Sequence, residues 1–329
     1  MHRALITGIT GQDGSYLAEL LLAKGYEVHG IVRRSNRPES SWIGHLCRDA
    51  TILGKRLLIH YADLDDPGAV RRVLQKSRPS ELYHLAGPSQ VGWSFEMPEA
   101  TCQATGMLTL RFLEMVRDME VRPKFLYASS CEIYGEPLQA PQDETTPLAP
   151  VTPYGCGKAL ATQLVRVYRK AHGLFASNAI LFNHESPRRG EGFVTRKITR
   201  AAAAIKLGLQ QELQLGNLSG ERDWGHARDY VEGMWRSLQH PAAEDFVFAT
   251  GASHSVQQCV ESAFEAVEMD WRKYVRHDPQ LLRPAEPKRL LGNAAKAKEL
   301  LAWQPQSTFA ELIREMTQAD LEALSKRSE

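Results

Sequence analysis

Two short polar segments contain side chains that could exchange protons with a substrate. Tyr154 and Lys158 are four residues apart, so on a helix both side chains lie on one face. A positive charge beside a phenol favours the phenolate, and we therefore expect the pKa of Tyr154 to fall toward neutrality. Ser130 and Glu132 follow the apolar residues 125–127, where a buried strand is expected to open into a loop. The Ser130 hydroxyl could hold a substrate oxygen while Tyr154 moves its proton.

This Tyr/Lys spacing also occurs by chance on amphipathic helices, so the surrounding elements must decide its meaning. Apolar runs predict strands and a 3.6-residue period predicts helices. The strands are expected at 4–7, 27–32, 56–61, 81–86, 124–127 and 176–182, and the helices at 15–24, from 67 onward, 99–119 and 153–172. This alternation indicates an α/β fold, a Rossmann-type doubly wound parallel sheet with a smaller C-terminal domain. We expect residues 1–182 to bind a cofactor and 183–329 mainly a substrate, with 226–252 returning to the first domain.

A glycine turn separates the first predicted strand from the first helix. It contains Gly8, Gly11 and Gly14, and such a turn lets the backbone approach a pyrophosphate while the helix amides donate to it. The alternative, a plain glycine-rich turn, is disfavoured by the strand before it and the helix after it. The sequence therefore predicts a dinucleotide site.

Two arginines follow the second predicted strand, where NAD-binding proteins usually carry an acidic residue for the ribose 2′-hydroxyl. Arg33 and Arg34 suit a 2′-phosphate, because guanidinium groups form charge-assisted hydrogen bonds with phosphate. The alternative is a solvated basic pair at a strand end. We interpret the pair as a preference for NADP.

Composition excludes several function classes. The chain has 329 residues, 43% of them hydrophobic and 24% charged, with a net charge of +1, so bulk charge does not predict nucleic-acid binding. The five cysteines show neither a Cys-x-x-Cys pair nor metal-site spacing, so we expect no metal and a reducing, cytoplasmic location. Residues 1–3 run directly into a strand and no apolar run reaches membrane-span length, so neither a signal peptide nor a membrane partner is expected.

Three polar clusters in the second half could converge on a diphosphate, because cations on separate segments suit phosphate groups. They are residues 183–197, 222–226 and 283–286. Each alone could be a solvated surface or an interface, but all three together favour a ligand site.

These motifs give the sequence a specific resemblance. Ser130, Tyr154 and Lys158 resemble the catalytic group of the short-chain dehydrogenase/reductase superfamily, and the glycine spacing is similar to its extended branch. The segments TGITGQDG (7–14), LFNHESPRRG (181–190), RDWGHARDYV (222–231) and RPAE (283–286) resemble the GDP-mannose 4,6-dehydratase family. The resemblance covers nearly the whole chain.

The resemblance implies a role for each matching position. Catalysis would fall on Ser130, Glu132, Tyr154 and Lys158. NADP would contact Gly8, Thr10, Gly11, Gln12, Asp13, Gly14, Arg33, Arg34, Asp63, Leu64, Leu85, Ala86, Ser89, Lys158, His184 and Arg189. The GDP-sugar would contact Ser89, Glu132, Asn183, Val194, Lys197, Arg222, Arg283 and Glu286. A homodimer or homotetramer is also implied.

The implied reaction converts GDP-D-mannose to GDP-4-keto-6-deoxy-D-mannose by internal hydride transfer through NADP. Tyr154 would take the proton of the 4-hydroxyl, and Glu132 would remove the proton at C5 before water leaves from C6. A simple reductase or 4-epimerase has no use for this carboxylate, so Glu132 discriminates among these enzymes.

The chain departs from the family pattern near the sugar and the nicotinamide. Ser130 replaces a Thr, Ala100 replaces a Tyr, residues 84–90 read HLAGPSQ, and Gly155-Cys156-Gly157 replaces Ala-Val-Ala. These changes keep two alternatives open: a dehydratase or 4-reductase acting on another GDP-sugar such as a GDP-heptose, or a non-catalytic NADP-binding protein. The nucleotide side of the expected site matches the family more closely than the sugar side.

Overall fold

The computed structural model describes residues 2–281 and 289–328. In chain order its strands are β1 (Arg3–Thr7), β2 (Glu27–Val32), β3 (Leu57–Tyr61), β4 (Glu81–His84), β5 (Lys124–Ser130), β6 (Ala176–Leu181), β7 (Asn183–Glu185), β8 (Leu213–Leu215), β9 (Glu221–Arg222), β10 (Trp224–His226), β11 (Asp245–Phe248), β12 (His254–Ser255), β13 (Val275–His277) and β14 (Arg289–Leu290).

The α-helices cover the faces of the strands and fill the second half of the chain. They are α1 (Gln12–Ala23), α2 (Gly44–Arg48), α3 (Pro67–Ser77), α4 (Pro98–Cys102), α5 (Leu108–Arg117), α6 (Pro153–His172), α7 (Val194–Lys206), α8 (Ala227–Gln239), α9 (Val256–Glu265), α10 (Ala295–Leu301) and α11 (Phe309–Ser328). A π-helical turn, Gln103–Met107, joins α4 to α5.

Seven strands form the central sheet in the order β11-β6-β5-β4-β1-β2-β3, and every neighbouring pair is parallel. Apolar residues of α1, α8 and α10 pack on one face, and those of α3, α5 and α6 pack on the other. The predicted doubly wound α/β fold is confirmed. The strand order runs outward on one side from β1 to β3 and on the other side from β4 onward, so it reverses between β1 and β4. Ligands bind at this position in such folds.

The strand β11 joins the central sheet beside β6 although it lies far along the chain. A separate cluster of buried apolar residues forms from α7, α9, α11 and the short strands β8, β10 and β13. The domain boundary at residue 182 stays a prediction. Within the described residues, no helix is long and apolar enough to span a membrane.

Several predicted element bounds were wrong. The helix α1 begins at Gln12, three residues before the expected start, with Gly11 as its N-cap. The strand β5 continues through Ser130, because its parallel pairing with β6 extends to Ser130 opposite Leu181. The strand β4 ends at His84, because the next two amides donate to a side chain instead of a strand. The expected helix 99–119 is interrupted by the π-helical turn.

Candidate active site

A cleft of about 980 Å3 runs along the carboxyl edge of the central sheet. The predicted site residues that line it come from both halves of the chain and are Gly8, Thr10, Gly11, Gln12, Asp13, Gly14, Arg33, Asp63, Leu64, Leu85, Ala86, Ser89, Ser130, Glu132, Tyr154, Lys158, Asn183, His184, Arg189, Val194, Lys197 and Arg222.

Three predicted contacts are not placed in this cleft. Arg34 is exposed and does not line the cleft, whereas Arg33 and Asn36 do line it. Arg283 and Glu286 lie outside the described residues. Asn36 was missed, because a polar loop residue carries no signal that distinguishes it from its neighbours.

Ser130 and Glu132 are positioned by the end of β5. Ser130 is the last residue of that strand, and its Oγ accepts a hydrogen bond from the Glu132 amide at 3.3 Å. Glu132 lies in a 3-10 turn, Cys131–Ile133, and only 7% of it is exposed. The pairing of β5 with β6 thus carries both side chains to the cleft.

Tyr154 and Lys158 lie on the first two turns of α6, as the spacing predicts. The helix begins cleanly because Pro153 occupies its first position and the Thr152 hydroxyl accepts from the Gly155 amide at 2.9 Å. Lys158 Nζ donates to the Ala128 carbonyl at 2.7 Å and lies 5.7 Å from the centre of the Tyr154 ring. Both side chains are buried.

The expectation that the pKa of Tyr154 falls is wrong for the protein alone. Burial raises the pKa of Tyr154 far above its usual range, and the charge of Glu132 raises it further, while a hydrogen bond with Ser130 acts in the other direction. Burial also lowers the pKa of Lys158 to about 8, opposed by the charge of Asp13. A phenolate is costly to form away from water, and that cost outweighs the hydrogen bond with Ser130 and the charge of Arg189, which both lower the pKa of Tyr154.

The glycine turn after β1 has the shape of a phosphate cradle. Gly8 has φ +76°, and a Cβ there would lie 3.0 Å from the Ala86 amide nitrogen. A Cβ on Gly14 would lie 2.2 Å from the Gly8 carbonyl oxygen. Within the described residues, no side chain caps α1 at Gly11. Gly11, Gln12 and Asp13 line the cleft, so the start of α1 borders it and the turn fits the pyrophosphate of a dinucleotide.

Several predicted cofactor residues hold one another across the two halves of the chain. His184 Nε2 lies 2.9 Å from an Asp13 carboxylate oxygen, and its Nδ1 lies 2.7 Å from the Phe182 carbonyl oxygen. The side-chain amide of Gln12 donates through Nε2 to the His184 carbonyl at 3.1 Å and accepts through Oε1 from Ser186 Oγ at 2.8 Å. These side chains fasten the start of α1 to the segment after β6.

Thr7 is a positioning residue that the sequence did not reveal. Its Oγ1 accepts from the amides of Leu85 and Ala86, both at 3.1 Å, and lies 2.8 Å from His84 Nδ1. The hydroxyl proton is therefore donated to His84, which is neutral because burial and the charge of Lys158 lower its pKa to about 3. A threonine at the end of an apolar strand gives no sequence signal for this contact.

Most arginines of the second-half clusters are engaged within the protein. The described ion pairs are Arg188 to Glu19 (2.7 Å), Arg189 to Glu185 (3.0 Å) and Arg196 to Asp320 (2.7 Å). Arg222 also lines the cleft, where one of its nitrogens donates to the Glu221 carbonyl at 2.7 Å. The exposed Lys197 lines it too and donates to the Gln214 carbonyl at 2.7 Å. Of the cationic side chains that were predicted to converge on a diphosphate, three arginines therefore pair with carboxylates of the protein instead.

Within the described residues, no group of three or more His, Cys, Asp or Glu side chains is placed to hold a metal ion. The site instead combines a glycine cradle, a Ser/Tyr/Lys group and a buried carboxylate. That combination suits hydride and proton transfer at a hydroxyl-bearing carbon of a substrate, with a dinucleotide as the hydride carrier.

The GDP-mannose 4,6 dehydratase family model matches residues 5–316 of this chain. The chain is 49% identical over 329 residues to GDP-mannose 4,6 dehydratase 2 of Arabidopsis thaliana, with 98% of this chain and 88% of that protein covered. This chain belongs to the GDP-mannose 4,6-dehydratase family. The predicted resemblance is thereby confirmed.

Solved structures with this fold extend the comparison beyond the GDP-mannose 4,6-dehydratase family. UDP-glucose 4-epimerase of Thermus thermophilus, solved with NAD, superimposes with a TM-score of 0.82 at 25% identity, covering 97% of this chain and 98% of the epimerase. RMD of Pseudomonas aeruginosa, solved with NADPH, has a TM-score of 0.82 at 24% identity, covering 98% and 100%. In these two proteins the fold thus binds NAD in one case and NADPH in the other.

Proposed function

We propose that this protein removes water from GDP-D-mannose to give GDP-4-keto-6-deoxy-D-mannose, using bound NADP. Membership of the dehydratase family supports the substrate. The observation that carries the proposal is the placement of the buried carboxylate of Glu132 in the cleft that also holds Ser130, Tyr154 and Lys158. A dehydratase needs a second base on the sugar, whereas a reductase does not.

The proton chemistry is assigned to residues of two elements. Tyr154 accepts the proton of the sugar 4-hydroxyl, which Ser130 holds at the end of β5. Lys158 supplies positive charge beside the phenol, which favours the deprotonated form that burial opposes. When bound, the nicotinamide supplies a hydride acceptor and donor and a positive charge in its oxidised form.

Glu132 performs the step that makes the reaction a dehydration. Once C4 is a ketone, the proton at C5 is acidic, and a carboxylate can remove it and then protonate the departing C6 oxygen. Glu132 lies two residues beyond Ser130 on the turn after β5, so both side chains can reach one hexose ring. The reaction of a 4-reductase does not use this carboxylate.

NADP is the proposed cofactor because Arg33 lines the cleft directly after β2. Its guanidinium suits a 2′-phosphate, and Asp63 after β3 lies along the same cleft, where it is proposed to hold the adenine amino group. Gly8 to Gly14 are proposed to hold the pyrophosphate.

The GDP group is proposed to lie against the second half of the chain. Arg222 and Lys197 are the proposed diphosphate contacts, and Asn183 is proposed to hold the sugar side of the nucleotide. Arg283 and Glu286 complete this proposed set as family-implied contacts outside the described residues. Charge-assisted hydrogen bonds to a diphosphate would provide most of the affinity.

A homodimer or homotetramer is proposed as the assembly. Met107, Leu160 and Val167 lie on or beside the neighbouring helices α5 and α6 and are 37%, 43% and 52% exposed. Apolar side chains grouped in this way are typical of a contact between subunits. Light scattering on the purified protein tests the assembly, and a monomer at micromolar concentration would contradict it.

The test of the proposed function is incubation of the protein with NADP and GDP-mannose, followed by mass spectrometry of the nucleotide-sugar. We expect loss of one water without net reduction of the cofactor. A GDP-heptose in a parallel reaction tests the alternative sugar, which the altered 87–93 loop motivates. A product reduced at C4 with no water lost would show that the protein is a reductase instead.

A further inference from the structure

The two glycines between Tyr154 and Lys158 lie against other parts of the protein. At 3.6 residues per turn, Gly155 and Gly157 fall on opposite sides of the stripe that carries Tyr154 and Lys158. Glycine is unfavourable inside a helix by about 1 kcal/mol relative to alanine. The packing around α6 therefore has to explain why two glycines occur in its first turns.

Gly155 touches the turn that carries Glu132. A Cβ at this position would lie 2.7 Å from the Glu132 carbonyl oxygen and 3.1 Å from both Pro150 Cβ and Thr152 Oγ1. The nearest of these atoms belongs to the backbone, so it cannot rotate away. An alanine at position 155 must move either the start of α6 or the turn after β5, and both bear proposed catalytic side chains.

Gly157 touches the opposite wall, the π-helical turn Gln103–Met107. A Cβ here would lie 2.1 Å from Thr105 Oγ1 and 3.3 Å from Thr105 Cβ. The hydroxyl of Thr105 is held in turn by the Thr101 carbonyl at 2.7 Å. From the other side, a Cβ on Gly106 would lie 2.7 Å from the Leu160 side chain. The helix and the π-helical turn thus approach each other at the level of their backbones.

We infer that Gly155 and Gly157 are positioning residues that set how deeply α6 sits between the Glu132 turn and the π-helical turn, and thereby fix Tyr154 relative to Glu132. The inference rests on the proposed dehydration, because only that reaction uses both side chains on one sugar ring.

The test is a kinetic comparison of Gly155→Ala and Gly157→Ala with the wild type. A displacement of the two bases by a fraction of an ångström to 1 Å should lower kcat about 10- to 100-fold. The KM for GDP-mannose and the Kd for NADP should change less than about threefold, since all the proposed phosphate contacts, and every proposed NADP contact except Lys158, lie on other elements. The Kd is measured by calorimetry and does not depend on turnover.

A second substitution provides rescue. Thr105→Ala removes the atom that a Cβ at position 157 would meet, so kcat of the Thr105→Ala/Gly157→Ala double variant should return toward that of Thr105→Ala. Gly68→Ala is the matched control, because Gly68 is also helical and its nearest atoms are the ends of the Asp66 and Arg72 side chains at 3.2 and 3.4 Å. Its kcat should equal that of the wild type.

The outcomes separate this inference from the proposed function. If the wild type dehydrates GDP-mannose and Gly155→Ala does so equally fast, the positioning role is overturned. Loss of kcat in Gly157→Ala without rescue by Thr105→Ala would overturn the proposed contact at that position. A wild type that never releases water would instead refute the proposed function.

Discussion

The glycine turn after β1 and the polar segment after β6 were both predicted to bind ligand, yet their residues are used differently. The turn, Gly8 to Gly14, has the close approaches and the positive φ that its glycines suggest. In the segment 183–197, Arg188, Arg189 and Arg196 each form an ion pair with a carboxylate. A glycine in a tight turn indicates a backbone conformation that its immediate neighbours already define. The sequence around an arginine does not show whether that arginine binds a ligand or stabilises the fold.

Glu132→Gln should have the largest effect, because it removes the proposed C5 base, which neither region can replace. Turnover should fall about 10²- to 10⁴-fold, while the affinities for NADP and for GDP stay close to wild type. Turnover in heavy water should place deuterium at C5 of the wild-type product. Glu136→Gln, an exposed carboxylate four residues further on, is the control. Dehydration at the wild-type rate in Glu132→Gln would be incompatible with the proposed role.

Asp320→Asn tests whether Arg196 serves the fold. Asp320 is fully buried and accepts from Arg196 and from Thr199 Oγ1 at 2.8 Å. Breaking a buried pair leaves a buried charge unpaired, so we expect the free energy of unfolding to drop by about 3–5 kcal/mol. Urea denaturation measures it, with the exposed Glu322→Gln on the same helix as control. A loss of GDP affinity without loss of stability would assign Arg196 to the ligand.

Arg222→Ala tests the proposed diphosphate contact of Arg222 against the structural role of the other arginines. Loss of a charge-assisted hydrogen bond to the diphosphate should raise the KM for GDP-mannose about 10- to 100-fold, with kcat little changed. Arg228→Ala, whose exposed side chain pairs with Glu315, is the control and should leave KM unaltered. An Arg222→Ala enzyme with normal KM and reduced kcat would argue against a ground-state phosphate contact.

Arg33→Ala and Arg34→Ala compare neighbours that the sequence could not tell apart. Arg33 lines the cleft and Arg34 does not, so Arg33→Ala should weaken NADP binding about tenfold while Arg34→Ala has a smaller effect. NAD affinity should be unchanged in both, since it lacks the 2′-phosphate. Calorimetric titration with each cofactor measures this. Equal effects of the two substitutions would show that the bound arrangement differs from this cleft.

The ion pair between Asp13 and His184 joins the two regions and gives the smallest predicted effect. Burial is the largest single effect and opposes both charges, but the partner's charge and the hydrogen bonds together outweigh it, so the pKa of Asp13 is lowered from 3.8 and that of His184 is raised from 6.5. Asp13 therefore contributes stability that is lost as pH falls through its lowered pKa. His184 contributes stability that is complete below 6.5 and lost as pH rises through its raised pKa.

The pair should therefore stabilise the protein most between pH 3.8 and 6.5. Melting temperatures of wild type and Asp13→Asn, measured across this range, should differ most inside it and converge at higher pH. A difference that is independent of pH would indicate that the pair is not ionised.

Much of the fold and part of the site were accessible from residue patterns. The helix carrying Tyr154 and Lys158 was predicted with its observed ends, because Thr152, Pro153 and Gly173 are strong local signals for its start and stop. The strand β11 was not predicted as a strand, and the sequence analysis expected only that residues 226–252 return to the first domain. Its neighbour β6 is more than 60 residues away, and such pairing has no local signal.

The sequence by itself determined where the chain turns, which helix presents Tyr154 and Lys158, and which family the chain resembles. The first two follow from short-range geometry: glycine tolerates φ values that other residues avoid, and a four-residue spacing fixes a helix face. The family resemblance rests on the matching motifs instead. Only the tertiary structure decided that burial raises the pKa of Tyr154, that Arg188, Arg189 and Arg196 pair inside the protein, and that Thr7 holds Leu85 and Ala86. Desolvation and ion pairing depend on which distant groups meet, and only the folded chain brings them together.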